Sequence, residues 1–104
     1  MNAETPRADA PNETIHQPIR LKIMAALTAP GAEEGIEFAR LKNLTGATDG
    51  NLGAHIDTLT RAGYVDATKA FVGRRPRTTV RATESGKAAF VAHVAFLRAI
   101  IAGR

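Results

Sequence analysis

Between Thr14 and Thr28 the apolar residues Ile19, Ile23 and Leu27 recur at every fourth position, the spacing of one helical face. Leu21, Met24 and Ala25 fall on the opposite side, and a helix apolar on two sides must be covered twice. Pro18 suits the first turn, where its missing N–H costs nothing. The segment "APGAEEG", Ala29 to Gly35, breaks the pattern. "IEFARLKNL" then carries Phe38, Leu41 and Leu44 at helical spacing and predicts a short second helix. Gly46 supplies a tight turn, and Thr48 is an N-cap for a third helix with Leu52, Ile56 and Leu59 as its buried stripe and Gly63 as its left-handed cap. From Tyr64 the period shortens to two: "YVDATKA" and "RTTVRA" read as half-buried strands bracketing "FVGRRP", a hairpin. Thr83 caps a last helix with two stripes. One is Phe90, Val94, Leu97 and Ile101; the other is Phe96 and Ile100 with Ala89, Ala92 and Ala99.

Residues 1–13 hold few large apolar side chains and two prolines, so they cannot offset their ordering entropy and are expected to form a flexible tail. The ordered domain is expected over 14–104. A chain of 104 residues suits one small core. The net charge of +4 is unevenly placed: residues 1–37 carry six acids against three bases, the remainder eleven bases against four acids. With no cysteine, disulfides and thiolate metal sites are excluded. No apolar run reaches the roughly 18 residues of a bilayer span, and the first residues lack the apolar segment of a signal peptide. A cytoplasmic protein with no membrane partner is expected.

The basic excess concentrates in "KAFVGRRPRTTVRAT", Lys69 to Thr83, which holds five bases and no acid. Gly73 permits a positive φ at the tip, and Pro76 biases Arg75 towards an extended backbone, so the guanidinium groups of Arg74, Arg75 and Arg77 project. They suit the minor groove and its phosphates, and Arg81, facing solvent, suits the DNA backbone. On the third helix, 48–62, the face opposite the buried stripe presents Gly50, Asn51, Gly53, Ala54, Asp57, Thr58 and Arg61. Asn51 has the donor and acceptor pair suited to adenine. Ala54 suits a thymine methyl, Thr58 a phosphate or base edge, and Thr48 with the free N–H groups of the helix start a phosphate. An ordinary solvated helix face is the competing reading.

The order helix, helix, tight turn, helix, hairpin, helix is that of a winged helix-turn-helix, an α+β, mainly helical fold with a three-helix core, a two-stranded β-hairpin wing over 69–81 and a C-terminal helix. "HQPIRLKIMAAL", "TDGNLGAHIDTLTRAGYV" and "GRRPRTTVRATESGKAAF" together resemble the winged helix DNA-binding regulators of the MarR-like and ArsR-like superfamily, in their small stand-alone bacterial form. The resemblance covers Ile15 to Ile101. It implies a dimeric transcription factor on double-stranded DNA, with the C-terminal helix used for dimerisation. A repressor acting by occlusion on a palindromic operator is expected, since these residues leave no separate domain for recruiting polymerase.

The doubled apolar faces of the first and last helices fit pairing of two copies through Ile19 or Leu21, Met24, Phe90, Val94, Leu97 and Ile101. Which face points inward stays open. His16, His55 and His93 are too widely spaced for a local metal motif, and Ser85 sits where helix-start hydrogen bonding outweighs nucleophilic attack, so no metal, cofactor or enzymatic activity is expected. No residue pattern identifies a small-molecule effector. The alternative function is a winged-helix module for protein or RNA without sequence-specific DNA readout, suggested by the bare Gly53 and Ala54.

Overall fold

The computed structural model describes residues 9–103. In chain order these form α1 (Glu13–His16), α2 (Pro18–Leu27), β1 (Ile36–Glu37), α3 (Phe38–Thr45), α4 (Asp49–Arg61), β2 (Val65–Val72), β3 (Arg75–Ala82) and α5 (Glu84–Ile101). Local chemistry sets most boundaries. Pro18 opens α2 in its first turn and holds Gln17 extended, which separates α2 from the short α1 before it, a turn the sequence pattern did not predict. The Thr48 hydroxyl accepts the Asn51 N–H at 3.2 Å and the Thr83 hydroxyl accepts that of Gly86 at 2.9 Å, capping α4 and α5. Gly46 and Gly63 close α3 and α4 with positive φ.

The core is one cluster drawn from every layer. Ile15 of α1, Ile23, Met24 and Leu27 of α2, Leu41 of α3, Leu52, Ile56 and Leu59 of α4, Val65 of β2, Val80 of β3 and Ala89 of α5 are buried together. Leu44, expected in the second helix's apolar stripe, is instead 49% exposed. Thr45, the next residue of α3, is buried in its place.

The sheet departs from the two-stranded wing. It has three antiparallel strands in the order β1-β3-β2, with Ile36 opposite Val80 and Glu37 opposite Thr79. Ile36 and Glu37, read as the start of the second helix, are therefore its outer strand. The hairpin is also longer than expected. Strands β2 and β3 pair from Val65 opposite Ala82 to Val72 opposite Arg75, leaving a two-residue loop, Gly73–Arg74. Gly73 has φ +65° and Arg74 does not share the positive sign, the φ pattern of a II′ turn, whose twist matches that of the strands.

Of the expected tail, residues 1–8 lie outside the described residues. Asn12 and Glu13 belong to the fold. The Asn12 side-chain carbonyl caps α1 by accepting the Ile15 N–H at 3.0 Å, and its amide donates to the Tyr64 hydroxyl at 2.9 Å. Such a partner, 52 positions away, leaves no local trace in the sequence.

Of the two stripes expected on α5, only Ala89 of the second is fully buried, with Ala92, Phe96 and Ala99 of that stripe half-buried. The buried residues of the helix are Gly86, Ala89 and His93. The His93 ring is wholly enclosed, stacks on Phe96 with centroids 6.0 Å apart, and uses both nitrogens. Its Nδ1 accepts the Asn12 backbone N–H at 3.0 Å, so the neutral ring carries its proton on Nε2 and points it at His16 Nδ1, 3.2 Å away. Burial first, then the neighbouring His16, lowers the His93 pKa below the usual 6.5, against a smaller upward pull from Glu13. Protonation at Nδ1 would set N–H against N–H at Asn12. Because the depressed pKa belongs to the folded state, the unfolded chain takes up the proton first as pH falls. Stability is then lost from about pH 6.5 downward, with a slope of at most about 1.4 kcal/mol per pH unit for this group. Urea midpoints measured between pH 7 and 5 are expected to fall. His93→Asn, which keeps an acceptor for Asn12, is expected to flatten that fall, and an equal slope in both proteins would refute the assignment. His55, also lowered by burial and by Arg20, supplies the residual slope.

Candidate nucleic-acid interface

Helix α4 and the wing stand on either side of an open groove of about 730 Å³. Gly53, Ile56 and Asp57 line it from α4, Glu37, Phe38 and Ala39 from the β1–α3 junction, and Lys69, Val72, Arg75, Arg77 and Thr78 are among the wing residues on the other bank. A helix flank and a cationic hairpin thus border one cleft. That is the shape needed to place a helix in a major groove while the hairpin reaches the flanking backbone.

On α4, Gly50, Asn51, Ala54 and Arg61 are exposed, as the helical projection requires, and the buried stripe is the expected one. Thr48 is exposed, with its hydroxyl committed to the cap, and Thr58 is half-buried, donating to the Ala54 carbonyl at 3.1 Å. Of the two acids beside this face, Asp49 is paired with Lys42 at 2.9 Å. Asp57 lines the groove, so one carboxylate stays in the path of a phosphate.

The four wing arginines divide into two pairs. Arg74 sits in the turn and Arg75 in the last strand pair. Both are exposed, and neither makes an ion pair or side-chain hydrogen bond among the described residues. Arg77 Nε lies 3.3 Å from Glu37 Oε2, and Arg81 donates to the Glu34 carbonyl at 3.2 Å. The projecting role expected of Arg77 therefore needs correction, because β1 brings a carboxylate to it. Lys69 and Gly53 were not among the expected contacts, although the first belongs to the basic run and the second to the exposed face of α4. Beside the groove, His55 Nδ1 lies 3.0 Å from an Arg20 guanidinium nitrogen. Burial first, and then that cation, hold its pKa below the usual 6.5.

The residues expected at a dimer interface are not equivalent. Met24 is fully enclosed by its own chain and cannot touch a partner. Ile19, Leu21 and Phe90 are partly buried against the core, and Val94 and Leu97 are half-buried. Ile101 is 85% exposed, and α5 also exposes Val91 and Ile100, which the sequence reading did not select. In a helix apolar all round, spacing alone does not say which side is covered.

A capped recognition helix, a three-helix core and a β-hairpin beside it define a winged helix-turn-helix. The chain belongs to the winged helix DNA-binding domain family, which matches residues 19–101. A transcriptional regulator homologue from Pyrococcus horikoshii OT3 is similar in structure, with a TM-score of 0.78 at 32% identity, covering 88% of each chain. An uncharacterized protein of Methanocaldococcus jannaschii is 36% identical over 72 residues, 69% of this chain and 75% of its own length. A MarR family transcriptional regulator from Silicibacter pomeroyi DSS shares the fold with a TM-score of 0.67 at 21% identity, over 88% of this chain and 58% of that one. The protein is a winged helix-turn-helix DNA-binding regulator. Among the described residues no helix is long and apolar enough to cross a membrane.

Proposed function

We propose that two copies of this chain bind a palindromic operator and repress transcription by covering it. The carrying observation is the shared groove: Gly53 and Asp57 of α4 and the exposed Arg75 border the same opening, with Arg74 next to Arg75 in the turn. In this reading α4 enters the major groove with Asn51, Ala54 and Thr58 towards base edges and Arg61 towards the backbone. The tight first turn, Thr48 to Asn51, lets Gly50 bring the backbone N–H groups close to a phosphate. Arg74 and Arg75 reach the adjacent minor groove, while Arg77 and Arg81 hold the base of the wing.

The second copy is supported by α5, which leaves Val91, Ile100 and Ile101 exposed to solvent. Large apolar side chains left exposed on one terminal helix suit an association surface. Joining two α5 helices sets the α4 helices about one DNA turn, roughly 34 Å, apart, and two such half-sites with flanking wings cover enough duplex to exclude polymerase.

Selection of bound fragments from genomic DNA is expected to return two-fold symmetric sites with that half-site spacing. Val91→Asp with Ile101→Asp, both at exposed positions, is expected to leave the fold intact, produce monomers in sedimentation and weaken operator binding at least about tenfold. Recovery of no preferred fragment at about 150 mM salt would sink the operator reading. Full-affinity binding by the monomeric variant would sink the dimer.

A further inference from the structure

Glu37 occupies the N-cap position of α3, where a side-chain oxygen ordinarily accepts an N–H of the first turn, yet it makes no capping bond. Its carboxylate turns to Arg77 Nε instead, at 3.3 Å. Strand pairing explains the choice. Glu37 lies opposite Thr79, and Arg77 is two residues from Thr79 along β3, on the same side of the sheet, so the two side chains are diagonal cross-strand neighbours. Strand β1 is only two residues long and adds little pairing of its own. Its consequence is to deliver one acid to a run of bases that contains none.

We infer that Glu37 is a specificity-determining residue: its carboxylate stands in for a phosphate at Arg77 and, with Asp57 in the same groove, penalises loose electrostatic docking on arbitrary DNA. The bond is single and both side chains are about half exposed, so the restraint is modest. That suits a residue that discriminates. A phosphate held in register by α4 and the wing tip can displace a weak internal competitor, whereas a duplex docked without that register cannot. Non-specific binding, which comes almost entirely from phosphate neutralisation, is thereby reduced by one cation. The inference rests on the proposed interface, and the test keeps the two apart.

Affinity for a random-sequence duplex is measured against salt for the full-length protein, for Glu37→Gln, for Arg77→Ala and for the double variant. Glu37→Gln is expected to bind on the order of three- to tenfold more tightly and to steepen the log-log slope by about 0.9, the signature of one added phosphate contact. Arg77→Ala alone is expected to leave the slope unchanged, and in the Glu37→Gln background to restore the original slope. Glu37→Asp, which keeps the charge, is expected to behave as the unchanged protein, and thermal melts establish that each variant is folded. An unchanged slope for Glu37→Gln, or a flattening by Arg77→Ala alone, overturns the inference. If Arg74→Ala with Arg75→Ala still flattens the slope, the interface reading survives that failure. If that pair does nothing either, the interface itself is wrong.

Discussion

Changing Arg74 and Arg75 together to alanine is expected to lower affinity for duplex DNA by about 2 to 4 kcal/mol near physiological salt, and to flatten the log-log salt slope by nearly two units. The magnitude follows from what these two guanidiniums are not doing. Neither is held by a carboxylate or carbonyl among the described residues, so nothing within the described fold has to be given up when a phosphate or the floor of a minor groove takes them. The II′ turn at Gly73 and the last strand pair, Val72 opposite Arg75, fix where they project without using the side chains. Their removal therefore leaves the wing's backbone ladder intact, and thermal stability is expected to stay within about 0.5 kcal/mol. Anisotropy titrations at several salt concentrations separate two ways of losing affinity. A uniform loss across sequences places the arginines on phosphates; a loss concentrated on operators with A·T-rich flanks places them in a narrow minor groove. A slope that does not move removes the wing from the interface.

The parts of this fold set by short-range chemistry could be read from the sequence, and the parts set by distant partners could not. Pro18, Thr48, Thr83, Gly46 and Gly63 act within a few residues of themselves, and each stands where the pattern required. The same holds for the α4 stripe of Leu52, Ile56 and Leu59, because a helix polar on its other side has one direction in which to pack. Helix α5 offered no such contrast. Its inward face is Gly86, Ala89 and His93, two small residues and a histidine chosen by what α1 and the Tyr64 turn place opposite them. A two-residue strand has no period to detect, so β1 was not legible, and with it the one carboxylate that, among the described residues, reaches the wing arginines. Within the candidate site, the exposed face of α4 and the basic hairpin were legible; the division of four arginines into two free and two engaged depended on contacts across the sheet and its adjoining loop.

Gly86→Ala is expected to destabilise the protein by about 2 to 3 kcal/mol, although alanine is the better helix former by roughly 1 kcal/mol. Gly86 lies in the first turn of α5, where a Cβ would overlap the Tyr64 carbonyl oxygen and come within 2.9 Å of its carbonyl carbon and 3.0 Å of its Cα. That backbone cannot step aside. The Tyr64 carbonyl accepts the Thr83 N–H at 3.0 Å, the Thr83 hydroxyl donates to the Gly63 carbonyl at 2.6 Å, the Tyr64 N–H donates to Leu59 at 3.0 Å, and Asn12 holds the phenol. Helix α5 must move instead, and with it the surface proposed to join two copies. Gly53→Ala supplies the control, because nothing lies within 4 Å of a Cβ built there. That change in α4 is expected to raise stability by about 0.5 to 1 kcal/mol while placing a methyl group on the groove proposed to face DNA. Urea midpoints are therefore expected to shift in opposite directions for one chemical substitution made in two helices. DNA titrations of Gly53→Ala then test whether α4 uses that bare position for close approach: a more stable protein with weakened binding assigns Gly53 to the interface, and one that binds as before removes it.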